Sequence, residues 1–486
     1  MTQLFGTDGI RGVVGEWPLD PEAFLKLGQA AGQVLKTHQN ASVIIGRDTR
    51  QSGIMLQSAL IAGLLSSGVS VIDVGVIPTS AISWLVHRLN AEAGVVISAS
   101  HNPVRENGIK FFSKTGQKLP EPIEAEIERL LLDEQFKPGV PQEFGRVVDG
   151  GSFHEIYAQD LLQEHPVGFL KDLVLVVDCA NGAASSIAAD IFQRAGARVI
   201  AINASPSGSN INLNAGSEHV RRSPEKLTEI IHQHHANFGL AFDGDADRVV
   251  FVDEEGTLID GDHILGFLSR YLDQHDALLA RSVVATNMRN NGLKHFVEAA
   301  GLELFETPVG DKYVSDKLLQ LWNENPTAGK IGLGGEQAGH IILLDRDHVT
   351  GDGIRAALFV LNAYLESGNK TLAAFAGGVG KTPQIIASAY VGNTARFDKQ
   401  QLEKMEREIS STHPWLVRVN LRYSGTEPLF RVMLESDGRH TEEQLARLAV
   451  EISDRAQKLA GEQGAAIDII NCTRGGLMPM PEKALE

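Results

Sequence analysis

The sequence predicts an α/β protein: three similar α/β units with mixed sheets and a smaller C-terminal α+β unit, set around a central cleft. Short apolar runs alternate with helical patterns along the chain. At 486 residues the chain is too long for a single hydrophobic core. Three times, moreover, a strand-like run ends in a polar loop dense in reactive side chains. GVVIS runs into Ala99-Ser-His-Asn-Pro103, FGLAF into Asp243-Gly-Asp-Ala-Asp-Arg248, and KIGLG into Gly335-Glu-Gln-Ala-Gly-His340. Ligands bind at the carboxyl ends of strands in such sheets, so the three loops predict one shared cleft.

The elements follow in order. A strand over 42–46 leads through Arg47-Asp-Thr-Arg50 into a helix from about Gly53. Strands are predicted over 69–74 and 94–98, and an amphipathic helix over 121–132. A Pro/Gly-rich passage from Pro138 to Gly151 reads as a boundary. The second unit carries strands over 173–177, 198–202 and 238–242, a turn at 178–183, and a hairpin over 249–259 turned at Glu255-Gly256. The third carries strands over 282–286 and 330–333 and a helix opening at Thr350-Gly-Asp-Gly353. Gly377 to Gly380 break the pattern. In the last unit Val417, Val419 and Leu421 alternate with Arg418, Asn420 and Arg422, the period of a half-buried strand, and a second strand follows over 430–434. The Gly-, Pro- and Met-rich tail from about Thr473 is expected on the surface. The resulting domains are 1–150, 151–257, 258–376 and 377–472, with a tail over 473–486.

Composition narrows the function. Aromatic residues at 6% and a net charge of −17 disfavour a nucleic-acid surface, which needs basic stripes and stacking rings. An acidic chain binds anionic small molecules only where basic groups gather locally. Two distant cysteines, Cys179 and Cys472, fit a reducing compartment. The N-terminus lacks the pattern of a secretory signal. The most apolar stretch, 58–77, is broken by Ser66, Ser67, Gly68 and Asp73, so no membrane span is expected. A cytoplasmic protein with no nucleic-acid or membrane partner is predicted, and a homodimer is compatible with these features.

The loops carry the chemistry. Asp243, Asp245 and Asp247 alternate on a glycine-bearing turn and can converge on one hard cation, leaving room for a phosphate oxygen and water as magnesium sites do. An EF-hand would need glycine where Arg248 stands, and the run after it reads as strand. A solvated acidic turn is the plainer alternative, disfavoured by the apolar run that feeds the loop. In the second loop Ser100, with His101 beside it, is either a helix-capping serine or a nucleophile and phosphoryl carrier. In Arg422-Tyr-Ser-Gly-Thr-Glu-Pro428, Arg422 can grip a phosphate, Ser424 and Thr426 offer hydroxyls, and Gly425 lets backbone N–H groups form an anion nest; an ordinary polar hairpin turn is the alternative. Glu336 and Gln337 offer a carboxylate and an amide to sugar hydroxyls, whereas a lone His340 is more often structural. Arg11, Arg47, Arg50 and Lys110 sit beside glycines that permit close approach to a ligand.

Together these motifs, with Phe5-Gly-Thr-Asp-Gly-Ile-Arg11, Val177-Asp-Cys-Ala-Asn-Gly-Ala183 and Val309-Gly-Asp-Lys-Tyr-Val314, resemble the α-D-phosphohexomutase superfamily over nearly the whole chain. The start of the chain and the Ser424–Pro428 loop are most like its bacterial phosphoglucosamine mutase branch. The resemblance implies four domains around a cleft and an intramolecular phosphotransferase acting on a hexosamine phosphate. It further implies a required phosphoserine at Ser100 and one magnesium ion per subunit, held by Asp243, Asp245, Asp247 and a phosphate oxygen of Ser100. Arg422, Ser424, Gly425 and Thr426 would bind the non-reacting phosphate, with Asp311, Glu336 and Gln337 also facing the substrate. Arg11, His101, Lys110, Arg248 and His340 would surround the reacting group, Lys110 and His340 in acid–base roles. One departure is visible: Ala338 stands where the family loop has serine, which removes one hydrogen bond to the sugar, about 0.5–1.5 kcal/mol. A mutase of broader sugar range, acting on mannose and glucose phosphates, is the alternative.

The implied chemistry has a physical logic. O1 and O6 of one sugar are too far apart for a direct transfer, so the phosphoryl group must pass through the enzyme and a bisphosphate that turns around. A phosphate clamp on a unit hinged at Gly377–Gly380 would release and recapture that intermediate.

Overall fold

The computed structural model describes residues 4–6, 8–134, 136, 140, 143–326, 329–376, 378–392, 395–424 and 428–481. Four sheets are found among them. The first contains β1 (Ile10–Val13), β2 (Ser42–Arg47), β3 (Ser70–Val76), β4 (Ala93–Ile97), β5 (Glu106–Ser113) and β6 (Val147–Asp149), in the order β1-β5-β4-β2-β3-β6. The second contains β7 (Val174–Asp178), β8 (Arg198–Ile202), β9 (Phe238–Phe242), β10 (Val249–Val252) and β11 (Leu258–Ile259), ordered β11-β10-β9-β7-β8. The third contains β12 (Leu278–Thr286), β13 (Glu303–Thr307), β14 (Ile331–Gly335) and β15 (Ile341–Leu344), ordered β13-β12-β14-β15. The fourth is antiparallel throughout: β16 (Gln384–Tyr390), β17 (Leu416–Tyr423), β18 (Leu429–Ser436), β19 (Ile467–Asn471) and β20 (Leu477–Met478).

The first three sheets repeat one device. β4, β9 and β14 each pair in parallel on one side, with β2, β7 and β12, and antiparallel on the other, with β5, β10 and β15. The connection leaving each of these strands therefore turns back at the carboxyl end of its sheet, and these connections are the three polar loops that the apolar runs feed. β4 and β9 are buried at every position, which is why their sequences read as continuous apolar runs without alternation. Gly256 takes φ +87° at the predicted hairpin turn between β10 and β11, a conformation that a side chain disfavours.

One apolar core runs from Ile44 through Phe242 and Leu333 to Val379 and joins the first three sheets. Ile385, Leu434, Ala449 and Ile469 form a separate core under the fourth. The helix Glu442–Ala460 packs this second core with Leu445, Ala449, Ile452 and Ala456, begins at Thr441 with a capping box, and ends at Gly461 with φ +75°.

Two local expectations give way to tertiary context. The passage 138–151 contains β6, which pairs with β3 although Val147 and Val148 stay half exposed; an edge strand with no buried face leaves no periodic trace. In β17 the register slips between Leu416 and Arg418, so Leu416 turns inward and Val417 outward, and the predicted alternation begins one residue late. The segment after Thr473 lies on the surface as expected, with Leu477 and Met480 half exposed, and it carries an edge strand: β20 pairs with β19, and Gly476 N donates to the Arg221 carbonyl at 2.9 Å.

Candidate active site

The loop after β4 is forced into shape by its own small polar residues. Ser98 Oγ accepts from Ser100 N at 2.9 Å and donates to Asp48 Oδ2 at 2.7 Å. Ser100 takes φ +52°, a left-handed backbone uncommon for a residue with a Cβ. Such strain, of order ~1–3 kcal/mol, persists where the surroundings over-determine it. Here Arg50 does so: its guanidinium donates to the carbonyls of Ser100, Asn102, Pro103 and Glu106 and to Asp48, and neither Arg50 nor Asp48 has exposed surface. Arg50 is thus a brace behind the loop and not the ligand-facing cation that its flanking glycines suggested. Arg47 likewise turns away, to Gln57 Oε1 at 3.0 Å.

The loop after β9 comes onto this one from the second sheet. A Cβ on Gly244 would lie 2.4 Å from the Ser100 carbonyl oxygen, so only glycine allows the approach. Ser100 Oγ donates to Asp243 Oδ2 at 2.6 Å, across 143 residues of sequence. Asp243, Asp245 and Asp247 are all buried and each offers a carboxylate oxygen within 4.8 Å of the others. Asp245 Oδ1 and Asp247 Oδ1 are buried without a hydrogen-bond partner. Unpartnered buried carboxylate oxygens aimed together are what a hard divalent cation satisfies, so the donor set fits one. Burial, with Asp247 and Asp245 beside it, pushes the Asp243 carboxyl well above its ordinary range.

Cations rim the cluster. Lys110, on β5, lies 3.0 Å from Asp245 Oδ2, 3.4 Å from Asp247 Oδ2 and 3.2 Å from Asp8 Oδ2. Burial alone would lower its pKa, but these three carboxylates raise it well above the usual lysine value, so it is an ammonium. Burial, and then Arg248 and Arg11, hold His101 well below the ordinary histidine pKa, so its ring is neutral. His101 Nδ1 is 3.4 Å from Ser100 Oγ and accepts from Arg248 at 3.1 Å. Arg11 pairs with Asp8 and donates to Asn102 Oδ1 at 3.2 Å.

The loop after β14 closes the site from the third sheet. His340 lies 3.8 Å from Asp247 Oδ1 and 3.9 Å from Asp311 Oδ2. Glu336 Oε1 accepts from Gly310 N at 3.1 Å, which ties it to the stretch carrying Asp311. Gln337 is almost wholly buried: Nε2 donates to Asp262 Oδ2 at 2.8 Å and Gln384 Oε1 at 2.7 Å, leaving only its Oε1 for a ligand. Arg422 and Ser424 line the opposite wall, at the end of β17. Gly425 and Thr426 lie outside the described residues.

One cavity of about 600 Å³ is lined by Arg11, His101, Asp247, Arg248, Asp311, Glu336, Ala338, His340, Arg422 and Ser424 among others. Six arginines face it, at positions 11, 221, 222, 248, 422 and 431, beside the carboxylates of Asp8, Glu218, Asp247, Asp311, Glu336 and Asp468, so basic groups gather here within a chain of net charge −17. Sequence reasoning missed Asp8, Lys118, Arg221, Arg222 and Arg431. Arg431 stands directly opposite Arg422 in the β17–β18 register, a pairing visible only once that register is known. Lys118 joins Asp8 (2.9 Å) to Asp311 (2.6 Å), and so the first sheet to the third.

Models of the phosphoglucomutase/phosphomannomutase α/β/α domains I, II and III match residues 2–138, 156–256 and 260–379, and that of the C-terminal domain matches 368–455. The chain is 45% identical to phosphoglucosamine mutase of Carboxydothermus hydrogenoformans, over 91% of this chain and 97% of that one. Its fold superposes on a phosphoglucomutase/phosphomannomutase family protein of Burkholderia thailandensis with a TM-score of 0.75 at 23% identity, covering 96% of this chain and 99% of the other. N-acetylphosphoglucosamine mutase of Aspergillus fumigatus, solved with GlcNAc-6P and magnesium, shares the fold at a TM-score of 0.61 and 16% identity, covering 94% and 96%. The chain belongs to the phosphoglucomutase/phosphomannomutase family, in its phosphoglucosamine mutase group.

Proposed function

We propose that the protein interconverts glucosamine 6-phosphate and glucosamine 1-phosphate in the cytoplasm, on the route to UDP-N-acetylglucosamine, with Ser100 as the phosphoryl carrier. The observation that carries this reading is the 2.6 Å contact of the Ser100 hydroxyl with Asp243, beside a cavity whose far wall holds Arg422 and Ser424. One end of the cavity suits a phosphoryl group in transfer; the other suits a phosphate that is only held.

Phospho-Ser100 gives its phosphoryl group to the free hydroxyl of the bound sugar phosphate. The Oγ–P bond breaks as the sugar O–P bond forms, the sugar hydroxyl loses its proton, and the Ser100 oxygen is left to gain one. His340 is placed to take the first proton, and Lys110, an ammonium, to stabilise or protonate the leaving oxygen. Together with phospho-Ser100, Asp243, Asp245 and Asp247 would hold one magnesium ion per subunit, which would supply neutralisation of the phosphoryl charge. Arg11, His101 and Arg248 surround the same oxygens, and Glu336, Gln337 and Asp311 meet the sugar. Arg422, Ser424, Gly425 and Thr426 clamp the non-reacting phosphate.

The bisphosphate must turn around before the second transfer returns a phosphoryl group to Ser100. We take 1–150, 151–257, 258–376 and 377–472 as the four domains, with the last hinged over Gly377–Gly380, of which Gly377 lies outside the described residues. The separate core of the fourth sheet supports a unit that moves as a body. The Arg222–Asp468 pair and the Gly476–Arg221 bond, which tie it to the second sheet, would have to break.

Ala338, which lines the cavity in place of the family serine, favours a second reading: a mutase of broader sugar range. A coupled assay with magnesium on glucosamine, glucose and mannose 6-phosphates separates the two, beside Ser100→Ala. Preference for glucosamine phosphate, lost in the variant, is expected. Equal turnover on neutral sugars would select the broader reading, and an active Ser100→Ala enzyme would refute the carrier.

A further inference from the structure

The three candidate metal aspartates differ in what holds them. A carboxylate turns easily about its last torsion, which is broad and two-fold, so the oxygen it presents to a cation is set by what the other oxygen bonds. Asp243 is oriented within its own loop and by the carrier: Oδ1 accepts from Arg248 N at 3.2 Å and Oδ2 from Ser100 Oγ. Asp247 Oδ2 accepts from Lys110. Asp245 has a partner from elsewhere. Its Oδ2 accepts from the Thr79 hydroxyl at 2.8 Å as well as from Lys110 at 3.0 Å, and its Oδ1 is left buried and unpartnered toward the cluster.

Thr79 opens the helix Thr79–Leu89 at the carboxyl end of β3, in the first unit, 166 residues before Asp245. Pro78 precedes it at the cap position, and no side-chain bond caps this helix, so the hydroxyl is not spent on its own backbone. Its backbone N–H donates to the Asp245 carbonyl at 3.0 Å, so main chain and side chain grip one residue at two points. Thr79 is 2% exposed and Asp245 has no exposed surface, so water does not replace the bond. Lys110 serves Asp245, Asp247 and Asp8 together, and it is the Thr79 hydroxyl that is dedicated to Asp245.

We infer that Thr79 is a positioning residue for the metal: its hydroxyl fixes which oxygen of Asp245 faces the cation, and so docks the metal loop of the second unit onto the carrier-bearing first unit. The inference rests on the reading of Asp243, Asp245 and Asp247 as metal ligands. Removing such an outer hydrogen bond typically lowers metal affinity by about 10–100-fold.

The test is a Mn2+ titration of the full-length protein, followed by the electron paramagnetic resonance of the free ion. It compares the unsubstituted chain, Thr79→Val and Thr79→Ser at matched Ser100 phosphorylation, checked by intact mass. Valine keeps the shape and removes the donor; serine keeps the donor. Expected is a Kd raised by about 10–100-fold in Thr79→Val and within about threefold of the original in Thr79→Ser. Thermal unfolding in EDTA is recorded alongside, because a purely structural threonine would lower Tm while leaving the Mn2+ Kd of the folded protein unchanged. Unchanged affinity in Thr79→Val overturns the inference and leaves the metal reading standing; no Mn2+ binding by the unsubstituted protein overturns both.

Discussion

Replacing Arg50 by methionine removes a guanidinium whose five N–H groups all find acceptors behind the Ser100 loop: Asp48 Oδ2 at 2.9 Å and the carbonyls of Pro103 (2.6 Å), Glu106 (3.0 Å), Ser100 (3.0 Å) and Asn102 (2.7 Å). The carbonyls suffer less than their number suggests. Asn212 Nδ2 also donates to those of Ser100 and Asn102, and Glu106 N to that of Pro103. The carboxylate of Asp48 decides the magnitude, because it is fully buried and loses its one ion-pair partner among the described residues. Removing one partner of a buried pair costs about 3–5 kcal/mol. Burial already raises the Asp48 pKa and Arg50 opposes that rise, so without Arg50 the pKa climbs further. A carboxyl with a raised folded pKa is destabilising above its unfolded value, so the loss grows from acid toward neutral pH. Hydrogen exchange of peptides covering 93–113 across a urea series, at pH 5 and pH 7, measures it locally. We expect a loss of about 3–5 kcal/mol at pH 7, a smaller one at pH 5, and substantial recovery in Arg50→Met with Asp48→Asn. Turnover should fall by about 100-fold, the effect of a misplacement near 1 Å at a reacting group. A loss below ~1 kcal/mol, the scale of an ordinary exposed pair, or no recovery in the double variant, would refute the account of Arg50 as a charge-paired brace.

Chelation with EDTA should abolish turnover and magnesium should restore it; unchanged activity after chelation would remove the cation from the mechanism. Ala338→Ser should lower KM for glucosamine phosphate by about 2–10-fold, the equivalent of one hydrogen bond, with kcat little changed; a higher KM would show that the cavity is shaped around the methyl group. Burial and Arg355 oppose protonation of His348, but Asp160 and Asp345, each at 3.3 Å, lift its pKa to about 9. The pairing therefore stabilises fully below pH 6.5 and is lost as pH rises through 9, up to about 3 kcal/mol at ~1.36 per pKa unit; His348→Gln should flatten urea stability across that window, and an equal slope in both proteins would contradict it. Rotation of the C-terminal unit should appear as a change in X-ray scattering between ligand-free enzyme and enzyme saturated with bisphosphate, and identical profiles would argue for a fixed clamp.

The parts legible in the sequence are those whose signal is local. β4, β9 and β14 announce themselves as short apolar runs, and the residues that follow are polar for a reason that burial alone does not supply. Because each strand sits at the junction of parallel and antiparallel pairing, its loop is delivered to the same end of its sheet. Strand period and loop composition together therefore lead to the three loops and favour the three aspartates as a cation site, whereas Ser100 stays open between cap and carrier, and the roles of Ser100 and His340 come from the family resemblance. Val417 escaped because a bulge is a defect in register, and register is a property of two strands. Arg50 was misread because its flanking glycines describe how closely the chain can be approached, and by what only the fold decides.

Thr79 shows where a stronger inference was available. It follows Val-Ile-Pro at the end of β3, a parallel strand between β2 and β6, and so stands at the same carboxyl edge as the three reactive loops. The rule that located those loops applies equally to this fourth strand end, but one threonine before a helix has a ready local explanation as a cap. The structure removes that explanation: the hydroxyl caps nothing and reaches an aspartate 166 residues away. A residue whose local role is vacant, at a strand end that faces the site, is a better candidate than its residue type suggests. Lys118 is a second case, a half-buried lysine past the end of β5 that lies between Asp8 and Asp311 and links two units through charge. In a multi-unit enzyme of this kind the groups that touch the substrate are written in loops, and the groups that hold those loops in register are written in ordinary residues of a neighbouring unit, legible only where the edges meet.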